Sequence, residues 1–270
     1  MMRDSATLGT LSFEPRQTRR TWSIFAFETL WRFTTWSGCG MLGAITFIVK
    51  IGFSMSELTI WTLDWVPEGP RGFVRDLRLR WACEEASLAY AIKTIRFEDR
   101  ETNHLERQPF GQVPFLDVDG LKMFESGACL LHLARTTEKL MPRDPAGEAE
   151  GLQWTIAALN SIEMVTVPWW FLKMSGRTDN ELTGWMEKRL GQIETIVSQR
   201  DWLAAGRFTV ADLMIADVLR VAEVRSFGHR PATEAYVARA TDWPAFKKAH
   251  ADQIAHFRLA DEKRTKPRSS

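Results

Sequence analysis

The rhythm of apolar and polar positions changes several times along the chain, and each change predicts a different element. Residues 58–63 (LTIWTL) form a short β-like run, and residues 72–90 place Phe73, Leu77, Trp81 and Leu88 at near-helical spacing. AIKTIRF (91–97) alternates like a strand. VPFLDV (113–118) and LKMFE (121–125) flank Asp119-Gly120, a strong two-residue hairpin signal that makes this pair of strands antiparallel. Ser126 precedes GACLLHLAR, where its hydroxyl is expected to accept from the free N–H groups of a first helical turn. The order is therefore β, α, β, a long link, then β, β, α.

Residues 139–148 (KLMPRDPAGE) carry Pro142, Pro145 and Gly147, which are expected to break any helix and mark a domain boundary. Beyond Gly147 every periodic stretch has its apolar residues three and four apart, so the second half reads as all-helical. Pro168 is expected to kink its helix ahead of Trp169, Trp170 and Phe171. The predicted division is an α/β domain at 55–138, a linker at 139–146, a helical domain at 147–258 and a disordered polar tail at 259–270. Residues 1–54 read differently, rich in Thr, Ser, Arg and Trp and short of acids. Their apolar runs, 21–33 and 41–53, are shorter than the roughly 20 residues of a membrane helix and are interrupted by Glu28, Arg32 and Lys50. For this extension an upstream start outside the fold, a targeting segment and a surface appendage all stand as readings, and membrane association through 21–53 is the weakest alternative for the chain.

Composition narrows the partners. A chain of 270 residues, 45% hydrophobic, can bury a core without disulfide or metal staples. A net charge of +1 gives no electrostatic reason to expect nucleic acid or an anionic membrane. Cys39, Cys83 and Cys129 are widely spaced and fit a reducing, cytoplasmic setting, and neither they nor the five histidines fall at metal-ligand spacing, so no metal is expected. PEGPRG (67–72) lacks the Gly-Lys-Ser/Thr ending of a phosphate loop. The 12 tryptophans demand either a core or a ligand to cover them.

Two motifs, QPFGQVP (108–114) and FESGA (124–128), set in this order of elements, resemble the glutathione S-transferase superfamily over residues 55–257. The resemblance implies a thioredoxin-like domain followed by a helical bundle, glutathione as co-substrate, an apolar electrophile and a homodimer. It also implies a cis Val113–Pro114 bond, with Val113 pairing with the cysteinyl backbone of glutathione. Glu125 suits the ammonium of the γ-glutamyl group, Ser126 at a helix N-terminus suits its carboxylate, and Gln112 lies near the glycyl end. Trp65, Trp154, Trp169 and Trp170, with Met164 and Phe171, are candidates for the walls of an apolar substrate pocket, and each is equally a candidate for core or dimer contact. FTVADL (208–213) looks like a structural capping box, with Thr209 capping, Asp212 reaching back and Phe208 packing on Leu213.

The catalytic position is where the pattern thins. A thiol with a pKa of about 8.5 ionises only partly near neutrality, so a donor or a positive field must stabilise its thiolate. Members of the family commonly place Tyr, Ser or Cys after the first strand, and residues 62–81 contain none of them. Thr62, Arg71 and Arg75 are the remaining candidates, and a solvated helix face is an equal reading of the two arginines. The missing cysteine counts against mixed-disulfide chemistry, and Cys83 and Cys129 fall in apolar helical patterns. Two functions follow: a conjugating transferase, or a non-catalytic glutathione-binding or scaffold protein on the same fold.

Overall fold

Strand β1 (Leu58–Leu63) lies inside a four-stranded sheet, with β2 (Ala91–Ile95) parallel on one side and β3 (Phe115–Val118) antiparallel on the other. β4 (Leu121–Phe124) pairs with β3 at the edge, giving the order β2-β1-β3-β4. The computed structural model describes residues 57–265 apart from 100, 101 and 103, so the readings made for 1–54 and Cys39 lie outside the described residues. Helix α1 (Asp76–Ala86) crosses between the two parallel strands, as a parallel pair requires, and α2 (Ser126–Arg135) packs beside it. The hairpin is built as its sequence predicts. Asp119 and Gly120 have φ of 51° and 86°, the left-handed values of the turn that matches strand twist, and Asp117 Oδ1 accepts from Gly120 N–H at 3.0 Å.

The remainder is helical: α3 (Pro145–Ala157), a wide π turn at Ala158–Glu163, α4 (Met164–Met174), α5 (Thr183–Val197), α6 (Val210–Leu219), α7 (Ala222–Arg225), α8 (Pro231–Thr241) and α9 (Pro244–Thr265). This is the thioredoxin-like arrangement followed by helices that the sequence predicts. Two local expectations are corrected. Pro145 and Gly147 open α3 instead of breaking it: proline fits the first helical position, where its missing N–H is not needed, and Asp144 Oδ1 caps Gly147 N–H at 2.8 Å. Pro168 lies within α4, which follows directly on the π turn. The supposed polar tail is helix as far as Thr265, because Asp261 and Arg264 bind back onto the first half of the chain.

Helix α6 is buried along its whole length and forms the centre of the helical part. Its capping box is present. Thr209 Oγ1 accepts from Ala211 N–H at 3.3 Å, and Asp212 Oδ2 accepts from Thr209 N–H at 2.9 Å, while Tyr236 donates to Asp212 Oδ1 at 2.7 Å. Much of the tryptophan content is core: Phe208 sits among the rings of Trp81, Trp202 and Trp243. Cys83 and Cys129 are buried, and burial pushes both thiols up to about 12, which removes them as nucleophiles. Among the described residues no helix is long and apolar enough to cross a membrane.

Candidate functional site

Strand register brings the two motifs together. The β3–β4 ladder pairs Phe115 with Phe124, and carried past that pair it sets Pro114 opposite Glu125 and Val113 opposite Ser126. The β1–β3 ladder pairs Trp61 with Phe115, which by the same extension puts Leu63 level with Val113. The end of β1, Val113–Pro114 and Glu125–Ser126 therefore meet at one end of the sheet. The Val113–Pro114 bond is cis. Val113 is half-buried, and among the described residues nothing hydrogen-bonds its N–H or C=O. The loop leading to it is braced from within. Buried Gln108 accepts from Phe110 N–H at 2.7 Å and Gln112 N–H at 2.9 Å, and buried His104 donates from Nε2 to Gln112 O at 2.6 Å. Gln112 is thus held by its backbone with its side chain exposed.

Glu125 is exposed and has φ of 69°, a conformation that costs a non-glycine residue energy and is found at functional positions. Ser126 departs from its predicted part. It is the first residue of α2 rather than its cap, it is buried, and its Oγ accepts from Arg78 Nη1–H at 3.1 Å. Glu125 does not cap the helix either, so the N–H groups of Ser126, Gly127 and Ala128 have no acceptor among the described residues. A Cβ at Gly127 would stand 2.5 Å from Leu159 Cδ1, so a larger residue here needs that side chain to shift.

Behind Ser126 lies a buried ionic cluster that joins both halves of the fold. Arg78 donates from Nε to Asp217 Oδ2 at 2.6 Å and from Nη2 to Glu163 Oε1 at 2.7 Å. Arg75 reaches the same Glu163 oxygen at 3.0 Å, and Arg220 Nε donates to Asp217 Oδ1 at 2.8 Å. Burial alone would lower the Arg78 pKa, but Asp217 and Glu163 outweigh it and raise it above the ordinary range. Burial works to raise both carboxyls; Arg78 and Arg75 overcome it at Glu163, and Arg220 and Arg78 at Asp217, so both end below their ordinary values. Arg78, Glu163 and Asp217 therefore stay charged at neutral pH. The sequence reading missed Arg78, Glu163 and Asp217; the one available signal was the i, i+3 spacing that puts Arg78 on the same helix face as Arg75.

The three catalytic candidates are separated. Thr62 is sealed inside β1, and among the described residues its Oγ1 has no hydrogen-bond partner. Arg75 belongs to the cluster behind Ser126, with its side chain 40% exposed. Arg71 lies within the β1–α1 loop, donating to Val66 O at 3.0 Å and gripping Asp261 with two bonds of 2.6 and 2.8 Å. Trp65 donates its indole N–H to the same carboxylate at 2.7 Å, and the bonds from Arg71 and Trp65 lower the Asp261 pKa to about 2. The tryptophans named for a substrate pocket do not share one wall. Trp154 lines a cavity of about 400 Å³ with Ile162, Ile193, Ile196 and Ile215, Trp169 is buried against Phe227, and Trp170 lies half-buried against Phe171. Trp65 faces Phe97 and lies under the Arg264 guanidinium.

Comparison with known proteins gives a consistent outcome. The family model described as "Glutathione S-transferase, N-terminal domain" matches residues 69–135. Glutathione S-transferase 1 of Zea mays is 32% identical over 155 residues, which span 50% of this chain and 70% of that protein. Among solved structures, a possible glutathione S-transferase from Rhodopseudomonas palustris superposes with a TM-score of 0.58 at 26% identity, covering 70% of this chain and 88% of that one. A glutathione transferase from Pseudomonas putida, solved with one glutathione disulfide per subunit, shares the fold with a TM-score of 0.61 at 20% identity, covering 72% of this chain and 90% of that one.

Proposed function

This chain belongs to the glutathione S-transferase superfamily, and from that premise we propose that it binds glutathione and transfers its thiolate to an apolar electrophile. One observation carries the reading: strand register sets the backbone of Val113, unpaired among the described residues, beside Glu125 and Ser126. In this reading Val113 pairs with the cysteinyl backbone, exposed Glu125 takes the ammonium, Ser126 and the open end of α2 take the carboxylate, and Gln112 lies toward the glycyl end. The sulfur then falls past Leu63, where the N–H groups of Trp65 and Val66 are not hydrogen-bonded among the described residues and Arg71 adds positive charge from behind. The thiol proton passes to solvent, the thiolate forms the C–S bond, and the leaving group departs with its bonding pair. Trp154 and Trp170 remain the candidates for contact with the electrophile, and Trp169 belongs to the core.

A second reading, glutathione binding without catalysis, draws on Asp261, which offsets the Arg71 charge and takes up the Trp65 indole N–H. Ultraviolet titration of bound glutathione separates the two. A transferase is expected to hold the bound thiol below its free value of about 8.5, and an unshifted thiol assigns the binding role. Asp261→Asn is expected to lower the bound value further, Arg71→Gln to raise it, and Thr62→Val to leave it unchanged. Insensitivity to both charge changes would remove Arg71 from the chemistry.

The assembly we propose is a homodimer in the cytoplasm. Phe110 is 65% exposed and meets the edge of Phe124, itself 40% exposed, with Leu121 farther along the edge strand β4. Such a patch calls for cover. Phe110→Asp is expected to shift the mass measured by light scattering from dimer toward monomer, and a wild-type monomer would exclude this assembly.

A further inference from the structure

We infer that Arg78 is a positioning residue for the carboxylate seat: by donating to Ser126 Oγ it leaves the serine proton for the α-carboxylate of a γ-glutamyl ligand, with Arg75 as the open cation beside it. The inference rests on the glutathione reading above and specifies one end of that site.

A serine hydroxyl has one proton and two lone pairs. The Arg78 Nη1–H occupies a lone pair at 3.1 Å, and among the described residues the hydroxyl proton has no acceptor. A charged donor on the oxygen polarises the hydroxyl and strengthens its own donation. The N–H groups of Ser126, Gly127 and Ala128 are also without acceptors. Donors thus gather at this corner and among the described residues no acceptor answers them, which is the requirement of an anion.

The charges agree with the hydrogen bonds. Among the described residues Arg75, Arg78 and Arg220 form ion pairs with Glu163 and Asp217 alone, so the cluster carries one positive charge in excess. That excess lies toward solvent, because the Arg75 side chain is 40% exposed while those of Arg78 and Arg220 are 3% and 8% exposed. Asp217 and Glu163 grip Arg78 from two sides, so its guanidinium is fixed before a ligand arrives. Glu163 does this from the last residue of the π turn, a deviation that recurs at functional sites. Lysine cannot replace the fork: a point charge on a flexible stem does not hold Asp217, Glu163 and Ser126 in one plane.

The test is calorimetric titration of the full chain with two peptides, glutathione and γ-aminobutyryl-cysteinylglycine, which differ only in the α-carboxylate. Wild-type protein is expected to prefer glutathione by about tenfold or more. In Arg78→Lys the preference is expected to collapse to about threefold or less, with affinity for the carboxylate-free peptide retained; a merely structural role would weaken both peptides alike. Arg75→Gln, at a part-exposed position that folding tolerates, is expected to reduce the same preference and keeps the test decisive if Arg78→Lys does not fold. A wild-type-sized preference surviving in either variant overturns the assignment of that arginine. Wild-type protein that binds glutathione without preferring it overturns the inference alone, and wild-type protein that binds neither peptide overturns the glutathione reading beneath it.

Discussion

Ser126→Ala is expected to weaken glutathione binding by one to two orders of magnitude while the protein stays folded. On the proposed glutathione reading the hydroxyl gives a hydrogen bond to the γ-glutamyl carboxylate, and bonds to charged groups contribute about 1.5–3 kcal/mol, where each 1.4 kcal/mol is tenfold in affinity. The fold loses less. Among the described residues Ser126 Oγ accepts one bond, from Arg78 Nη1, and that nitrogen retains Glu163 Oε2 at 3.4 Å as a weaker neighbour, so a loss of about 1 kcal/mol is expected. Calorimetric titration with glutathione, run beside a thermal melt, reads both quantities. Unchanged affinity would sink the placement of the γ-glutamyl end. A collapse of the melt would mean that Ser126 is structural first and a ligand contact second.

The parts of this site that were legible in the sequence are those fixed by neighbours along the chain. Asp119-Gly120 dictates a turn, the turn dictates the β3–β4 register, and the register places Val113–Pro114 beside Glu125–Ser126. The capping box at Thr209 and Asp212 is equally local. The illegible parts depend on partners far away. Arg78 meets Glu163 and Asp217 across 85 and 139 residues of chain, and nothing near Arg78 distinguishes it from an arginine on a wet helix face. The same distant contact explains why Ser126 was read as a cap: the local preference is genuine, but a buried guanidinium claims the oxygen. Asp261 likewise looked like part of a loose polar tail until Arg71, 190 residues earlier, gave its turn of helix a reason to form.

Asp217→Ala is expected to destabilise the fold by about 3–5 kcal/mol, a large share of the roughly 5–15 kcal/mol that holds a domain together. Asp217 bridges two nearly buried guanidiniums, taking Arg78 Nε on one oxygen and Arg220 Nε on the other, with side chains 3%, 8% and 5% exposed for Arg78, Arg220 and Asp217. Removing it leaves both cations desolvated and repelling each other, with Glu163 still paired to Arg78 but with no remaining carboxylate partner for Arg220 among the described residues. Asparagine is no rescue, because one amide oxygen cannot accept what two carboxylate oxygens accept now. The effect carries a pH signature. Burial raises the Asp217 pKa, but Arg220 and Arg78 outweigh it, so the folded value lies below the unfolded value of about 3.9. The stabilisation is therefore fully present above the unfolded value and is lost as pH falls through the folded one. Urea denaturation of wild type and variant should give curves a constant distance apart near neutrality that converge below about pH 4. A difference under about 1 kcal/mol, or one that does not shrink in acid, would show that the cluster does not hold the two halves of the fold together.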